Sequence, residues 1–300
     1  MKIYSRPSPA QDRRIRHLVM HYTAGNLASS LQWLAGPQAQ ASAHYLLSDT
    51  PEADGEIPIY KLVEPEERAW HAGVSSWHGV NNINFSSVGI EMVNLGFIEA
   101  KPLARSVQHA FADEATYRDH QGRQWFCYPK EQIAALIELV APLIKQYSLT
   151  PTRIIGHADI APGRKQDPGP LFPWYTLACE GIGAWPRAEV VEHYQKQLKE
   201  KPLTVAQQQA ALKEYGYEVP THGNLDQTTK NTVESFKMHF SPADYFNGTE
   251  NNSQAMLCAL IEEYYPQARD TLLGRQLPSS GVKPSAVTSK DQLFKPVSLC

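Results

Sequence analysis

Three polar residues stand at or inside otherwise apolar runs. His21 closes the run 15–21, Glu91 sits within 88–93, and His157 closes 153–157. Two imidazoles and a carboxylate where buried strands emerge suit a metal centre or an acid–base site, because rigid strands fix side chains and the adjoining loops admit substrate. The stretch 156–170 then packs His157, Asp159, Arg164, Lys165 and Asp167 among prolines and glycines, and such stiff punctuation around opposite charges predicts positioned groups. A catalytic zinc takes three protein ligands and keeps a fourth position for water, a count met by His21, His157 and one of the two aspartates. Spacing leaves Asp159 and Asp167 as equal candidates. His-x-Asp with a remote His is also the pattern of a non-heme iron triad. Those sites favour double-sheet β folds, whereas helical patterns interleave with strands here.

The three apolar runs predict buried strands of an α/β domain, a mixed sheet flanked by helices. A long helix is expected from Ile133, Leu136, Ile137, Val140, Ile144 and Tyr147, with Pro129 near its first turn and Pro142 as a kink or break. A shorter one follows Asn26 and stops at Gly36-Pro37. Segment 98–124 reads as a polar surface excursion and 75–85 as a loop. A Gln/Lys/Glu-rich stretch near 195–202 reads as a linker. Beyond it, helices open at the Thr204/Gln207 capping box, near Asp226 and before Met256, which makes a small three-helix C-terminal bundle. The expected division is 1–195, a linker 196–203, a helical domain 204–267 and a flexible tail 268–300.

Composition narrows the partners. With 28 basic and 31 acidic residues and a net charge of −3, the chain has no broad positive field for nucleic acid or anionic lipid. No run approaches the ~20 apolar residues of a membrane span, and the N-terminus lacks the apolar core of a secretory signal. Cys127, Cys179, Cys258 and Cys300 form no Cys-x-x-Cys pair and read as ordinary small residues, a disulfide not being required at this size. His44 lies in a strand-like run and either orients a ligand or is a satisfied buried histidine. His71, beside Trp70, reads as facing a sugar or peptide. His17, His78, His109, His120, His193, His222 and His239 read as surface residues, and Trp33 and Trp77 as core anchors or cleft walls.

The runs Val19-Met20-His21-Tyr22-Thr23-Ala24, Ser42-Ala43-His44-Tyr45-Leu46, Trp70-His71-Ala72-Gly73, Val88-Gly89-Ile90-Glu91 and 156–169 together resemble the zinc-dependent N-acetylmuramoyl-L-alanine amidases of the amidase-2 type, whose fold is shared with peptidoglycan recognition proteins. The match spans roughly 13–185, and the five motifs stand in the family's order. The resemblance implies one zinc held by His21, His157 and Asp167, with Asp159 holding the loop, Glu91 as catalytic carboxylate and Lys165 as its helper. His71, Trp70 and His44 become candidate substrate contacts. The implied reaction is hydrolysis of the bond between N-acetylmuramic acid, or its 1,6-anhydro form, and the L-alanine of the stem peptide. The alternative is a recognition protein that binds muropeptides without cutting them. Residues from Leu212 through Tyr215-Gly216-Tyr217, Gly223-Asn224-Leu225-Asp226 and Val233 to His239 resemble a three-helix peptidoglycan-binding module. Such a module favours the periplasm or cell envelope, while the missing signal segment leaves the cytoplasm open.

Overall fold

The structure, a computed structural model, describes residues 1–2, 4–6, 8–99, 116–274, 277–282 and 290–296. Its first element is β1 (His17–Tyr22), followed by α1 (Leu27–Ala35), which Asn26 caps through its side chain. Strands β2 (Tyr45–Leu47), β3 (Ile59–Lys61), β4 (Ser76–Trp77), β5 (Val80–Asn81) and β6 (Ser87–Met92) come next. Then come β7 (Phe97–Ile98), β8 (Thr116–Arg118), β9 (Gln124–Phe126), α2 (Lys130–Tyr147), β10 (Ile154–Gly156) and the short α3 (His157–Ile160).

The central sheet has the order β10-β1-β6-β2-β3, parallel except for the last pairing. The three strands expected from the apolar runs are thus lateral neighbours, and the register sets His21 opposite Glu91 and Met20 opposite Gly156. Functional groups leave such a sheet at the carboxyl ends of its parallel strands, and His21, Glu91 and His157 all sit there. Leu18, Val19, Met20, Val88, Ile90 and Met92 are all fully buried, as expected of strands covered on both faces. Helix α2 runs unbroken through Pro142, and its Gln132 side chain donates to the carbonyl of Val93 at the end of β6.

The chain continues through α4 (Trp174–Cys179), α5 (Ala188–Glu200), α6 (Val205–Tyr215), α7 (Gln227–Phe240), α8 (Pro242–Asn247), α9 (Ser253–Tyr264) and α10 (Pro266–Leu273). The Thr204/Gln207 capping box and the stop at Gly216 form as expected, and Asp226 caps α7.

Several expectations need correction. Residues 196–200, taken as linker, are the last turns of α5, whose Val190, Val191, Tyr194 and Leu198 are buried. One apolar core joins the two halves, with Val19, Ile90 and Trp174 in the same buried cluster as Leu212, Phe236 and Leu260. The described part of the tail is packed rather than free: Leu277 and Leu293 are buried, Ser280 donates to Glu262, and Phe294 pairs with Pro186. Residues 283–289 and Cys300 lie outside the described residues. The excursion at 98–124, of which 100–115 also lie outside, contributes to a three-stranded sheet β7-β9-β8. Buried Asp119 takes hydrogen bonds there from Arg123 and Trp125. The loop at 75–85 contains the β4–β5 hairpin, with Trp77 in the core. His17 and His239 are buried rather than on the surface, and Cys127 is disulfide-bonded, whereas Cys179 and Cys258 are free.

Candidate metal centre and cleft

His21, His157 and Asp167 converge although 136 and 10 residues separate His157 from the first and last in sequence. The His21 Nδ1 lies 2.8 Å and the His157 Nδ1 2.9 Å from Asp167 Oδ2, and the two Nδ1 atoms lie 3.0 Å apart. All three side chains are buried, and the three atoms fall within 4.8 Å of one another.

Hydrogen bonding on the far side of each ring says what faces the centre. His157 Nε2 lies 3.0 Å from the carbonyl of Ala72, which only accepts, so the proton is on Nε2 and Nδ1 presents its lone pair. His21 Nε2 faces His71 Nδ1 at 2.9 Å, and His71 Nε2 faces the Ser87 hydroxyl at 3.0 Å. That hydroxyl donates to the carbonyl of Ile83 at 2.7 Å, which leaves its oxygen to accept from His71. The relay puts a proton on His71 Nε2 and another on His21 Nε2, and turns the lone pair of His21 Nδ1 inward. Two imidazole lone pairs and a carboxylate oxygen therefore meet with no proton between them. This donor set fits a borderline-soft dication such as zinc, with the outer nitrogens oriented by neutral partners.

Electrostatics agree with neutral imidazoles and an ionised carboxylate. Burial, reinforced by the neighbouring His157, lowers His21 to about 4. Burial, then His21 and His44, lower His71 well below its ordinary value. Burial alone would raise Asp167, but the imidazoles of His157 and His21 outweigh it and hold the carboxyl well below the usual carboxylate range.

The centre forms the floor of a cleft of about 590 Å³ lined by Glu91, Lys165, Arg164, His71, Trp70, Trp33, Tyr22 and Phe97 among others. Glu91 Oε2 is buried without a hydrogen-bond partner, and burial together with the Asp167 charge pushes its carboxyl up to about 8 against the opposing pull of Lys165. Trp33 and Trp70, both on the cleft walls, are 68% and 56% exposed.

Of the expected substrate contacts, Trp70 and His71 reach the cleft, although His71 is spent on holding His21. His44 does not line it. Its Nδ1 accepts from the Gly89 amide and its Nε2 donates to the carbonyl of Glu67, so it is a satisfied buried histidine. Asp159 turns away from the centre and accepts from Tyr217, His239 and the Gly156 amide.

Sequence reasoning passed over Ser87 and Asn84, and placed Arg164 only as one of the positioned charges of 156–170, without a partner. Asn84 Oδ1 accepts from the amides of His71 and Ala72, and Arg164 donates to the carbonyls of Ala72 and Val74. Ser87 was legible in principle, since strand alternation puts it on the same face as Gly89 and Glu91. The contacts of Asn84 and Arg164 join loops and carry no periodic signal.

The N-acetylmuramoyl-L-alanine amidase family profile (Amidase_2) matches residues 11–170. The chain is 38% identical over 263 residues to the amidase AmiD of Escherichia coli K12, covering 86% of this chain and 87% of that one. It is 33% identical over 135 residues to the 1,6-anhydro-N-acetylmuramyl-L-alanine amidase AmpD of Citrobacter freundii, which covers 45% of this chain and 54% of that one. Among solved structures, E. coli AmiD in complex with anhydro-N-acetylmuramic acid-L-Ala-D-gamma-Glu-L-Lys superposes with a TM-score of 0.71 at 36% identity, over 86% of this chain and 93% of that one. AmpDh3 of Pseudomonas aeruginosa gives a TM-score of 0.73 at 34% identity, over 88% of this chain and 99% of that one.

Proposed function

Because the chain belongs to the N-acetylmuramoyl-L-alanine amidase family and is such an amidase, we propose that it cuts muropeptides with one zinc ion held by His21 Nδ1, His157 Nδ1 and a carboxylate oxygen of Asp167. The observation that carries this reading is the convergence of three unprotonated ligand atoms on the floor of the cleft. When bound, zinc supplies a Lewis acid and lowers the pKa of a water from 15.7 to roughly 7.

The chain's own residues do the rest. Glu91, whose carboxyl holds protons more tightly than an ordinary carboxylate, takes a proton from the attacking water and passes it to the departing L-alanine nitrogen. Lys165, at the cleft wall, sets a positive charge beside the developing oxyanion. Trp33 and Trp70 offer exposed rings against which a sugar or peptide can lie. The substrate is the bond joining N-acetylmuramic acid, or its 1,6-anhydro form, to L-alanine, the second form being the one named for the AmiD complex and for AmpD. A non-catalytic recognition role finds no support, since every residue of the reaction is present and Glu91 and Lys165 line the same cleft as the ligands.

The same proposal takes in the helical unit as a peptidoglycan-binding module acting in the cell envelope. Its support is the sequence pattern around Leu212–Asp226, within which Leu225 remains 53% exposed. Among the described residues no helix is long and apolar enough to cross a membrane.

The test is release of stem peptide, followed by mass spectrometry, from N-acetylmuramyl peptides, their 1,6-anhydro forms and intact sacculi. Release that a chelator abolishes and added zinc restores is the expected result. Absence of release from all three by zinc-loaded protein overturns the proposal.

A further inference from the structure

The loop that carries His157 and Asp167 is gripped at three places by the C-terminal unit, from α7, from α8 and from Tyr217 in the connection after α6. At its start, Asp159 is 2% exposed, and its oxygens accept from Tyr217 at 2.6 Å, from His239 Nδ1 at 2.8 Å and from the Gly156 amide at 2.7 Å. The His239 ring is itself clamped between Trp174 and Phe240, each 3.8 Å away and near-parallel. In the middle, a Cβ added at Gly163 would lie 2.1 Å from Asn231 Nδ2, so α7 presses directly on the loop backbone. Toward its end, Tyr245 of α8 accepts from Arg123, which also donates to Gln166 at 3.1 Å, the residue before Asp167.

We propose that the helical unit is part of the scaffold of the metal centre, with Tyr217 and His239 acting as positioning residues that fix the His157–Asp167 loop through Asp159. This rests on the zinc reading above. The physical reason is the tolerance of the site. Ligand atoms must be held within about 0.5 Å of productive geometry, and a loop of 15 residues cannot supply that from its own contacts. A buried carboxylate that takes one donor from its own loop and two from outside it, Tyr217 and His239, can, because loss of either outside donor removes a tie between the loop and the helical unit and lets the backbone beside His157 move. Residues that sequence pattern assigned to wall recognition are, at Tyr217 and His239, spent inward on the active-site loop.

The experiment measures zinc affinity of the full chain by chelator competition, alongside the melting temperature of the metal-free protein. Tyr217→Phe and His239→Leu each remove one donor to Asp159 and are expected to weaken zinc binding about tenfold, the lower end of what support of metal ligands is worth. His239→Asn keeps a donor near the Nδ1 position and is expected to recover most of the affinity. Tyr265→Phe is the control: its hydroxyl meets His78 Nε2 and the Tyr215 carbonyl in the same interface without touching the loop, and it should leave affinity unchanged. Unchanged affinity in the first two variants, or an equal loss in Tyr265→Phe, overturns the inference. A wild-type chain that binds no zinc overturns the zinc reading itself, so the two failures are told apart.

Discussion

Gly89 and His71 are in contact so close that any side chain at position 89 would force the His71 ring to shift. A Cβ there would lie 2.4 Å from His71 Cγ and 2.6 Å from Cδ2 and Nδ1. His71 is in turn the only group that His21 Nε2 meets among the hydrogen bonds of the described residues. Gly89→Ala therefore strikes the metal centre through one ring. Overpacking of this kind costs about 1–3 kcal/mol, because the His71 ring sits among buried neighbours and has little room to give. A fall in the urea midpoint of metal-free protein, together with weaker zinc binding, is expected. A variant with unchanged midpoint and unchanged zinc affinity would show that the ring moves freely.

Asp167 and Glu91 line one cleft but should separate cleanly by mutation. Asp167→Ala removes the oxygen that lies against both imidazole nitrogens and should leave purified protein without zinc by elemental analysis. Glu91→Gln keeps the shape and all three ligands, and should retain zinc while losing about 10²-fold or more in turnover. Near-normal turnover in Glu91→Gln would remove that carboxyl from the mechanism.

His17 predicts an acid limb in the stability of the metal-free chain. Arg153 Nη1 donates to His17 Nε2, and the opposite nitrogen meets the carbonyl and hydroxyl of Ser86, so the buried ring is neutral. Burial first, and the positive Arg153 second, lower it from 6.5 to about 3, with Arg16 and His78 adding to the same direction. Between those two pH values the unfolded chain binds a proton that the folded chain refuses, so stability falls as pH falls. The slope from one such group approaches about 1.4 kcal/mol per pH unit. His17→Gln, which keeps an acceptor for Arg153, should flatten the urea-unfolding free energy between pH 4 and 6 by about that amount. Identical slopes in the two proteins would rule His17 out as the source.

Much of this was legible in the linear chain because it depends on local pattern. Apolar runs predicted β1, β6 and β10, and a helical repeat predicted α2. The placement of His21, Glu91 and His157 at strand ends followed from those runs alone. The capping box at Thr204 and the stop at Gly216 are equally local, and both formed.

Tertiary structure decided what local pattern leaves open. Asp159 and Asp167 are chemically equal in the sequence. The fold turns Asp167 onto the two imidazoles and turns Asp159 toward Tyr217 and His239, residues 58 and 80 positions away. Which imidazole nitrogen faces the centre depends on the Ala72 carbonyl for one ring and on His71 and Ser87 for the other, contacts made by loops that only packing brings together. A hydrogen-bond partner carries no periodicity, so spacing leaves the ligand aspartate open, with only the motif resemblance pointing to Asp167, and the inward nitrogen is not readable until the chain has closed on itself. The same holds for the helical unit: its amphipathic spacing announces three helices where the structure adds α8, and only the contacts of Tyr217 and His239 with Asp159, of Asn231 with Gly163 and of Tyr245 on α8 with Arg123 make the unit part of the active-site scaffold.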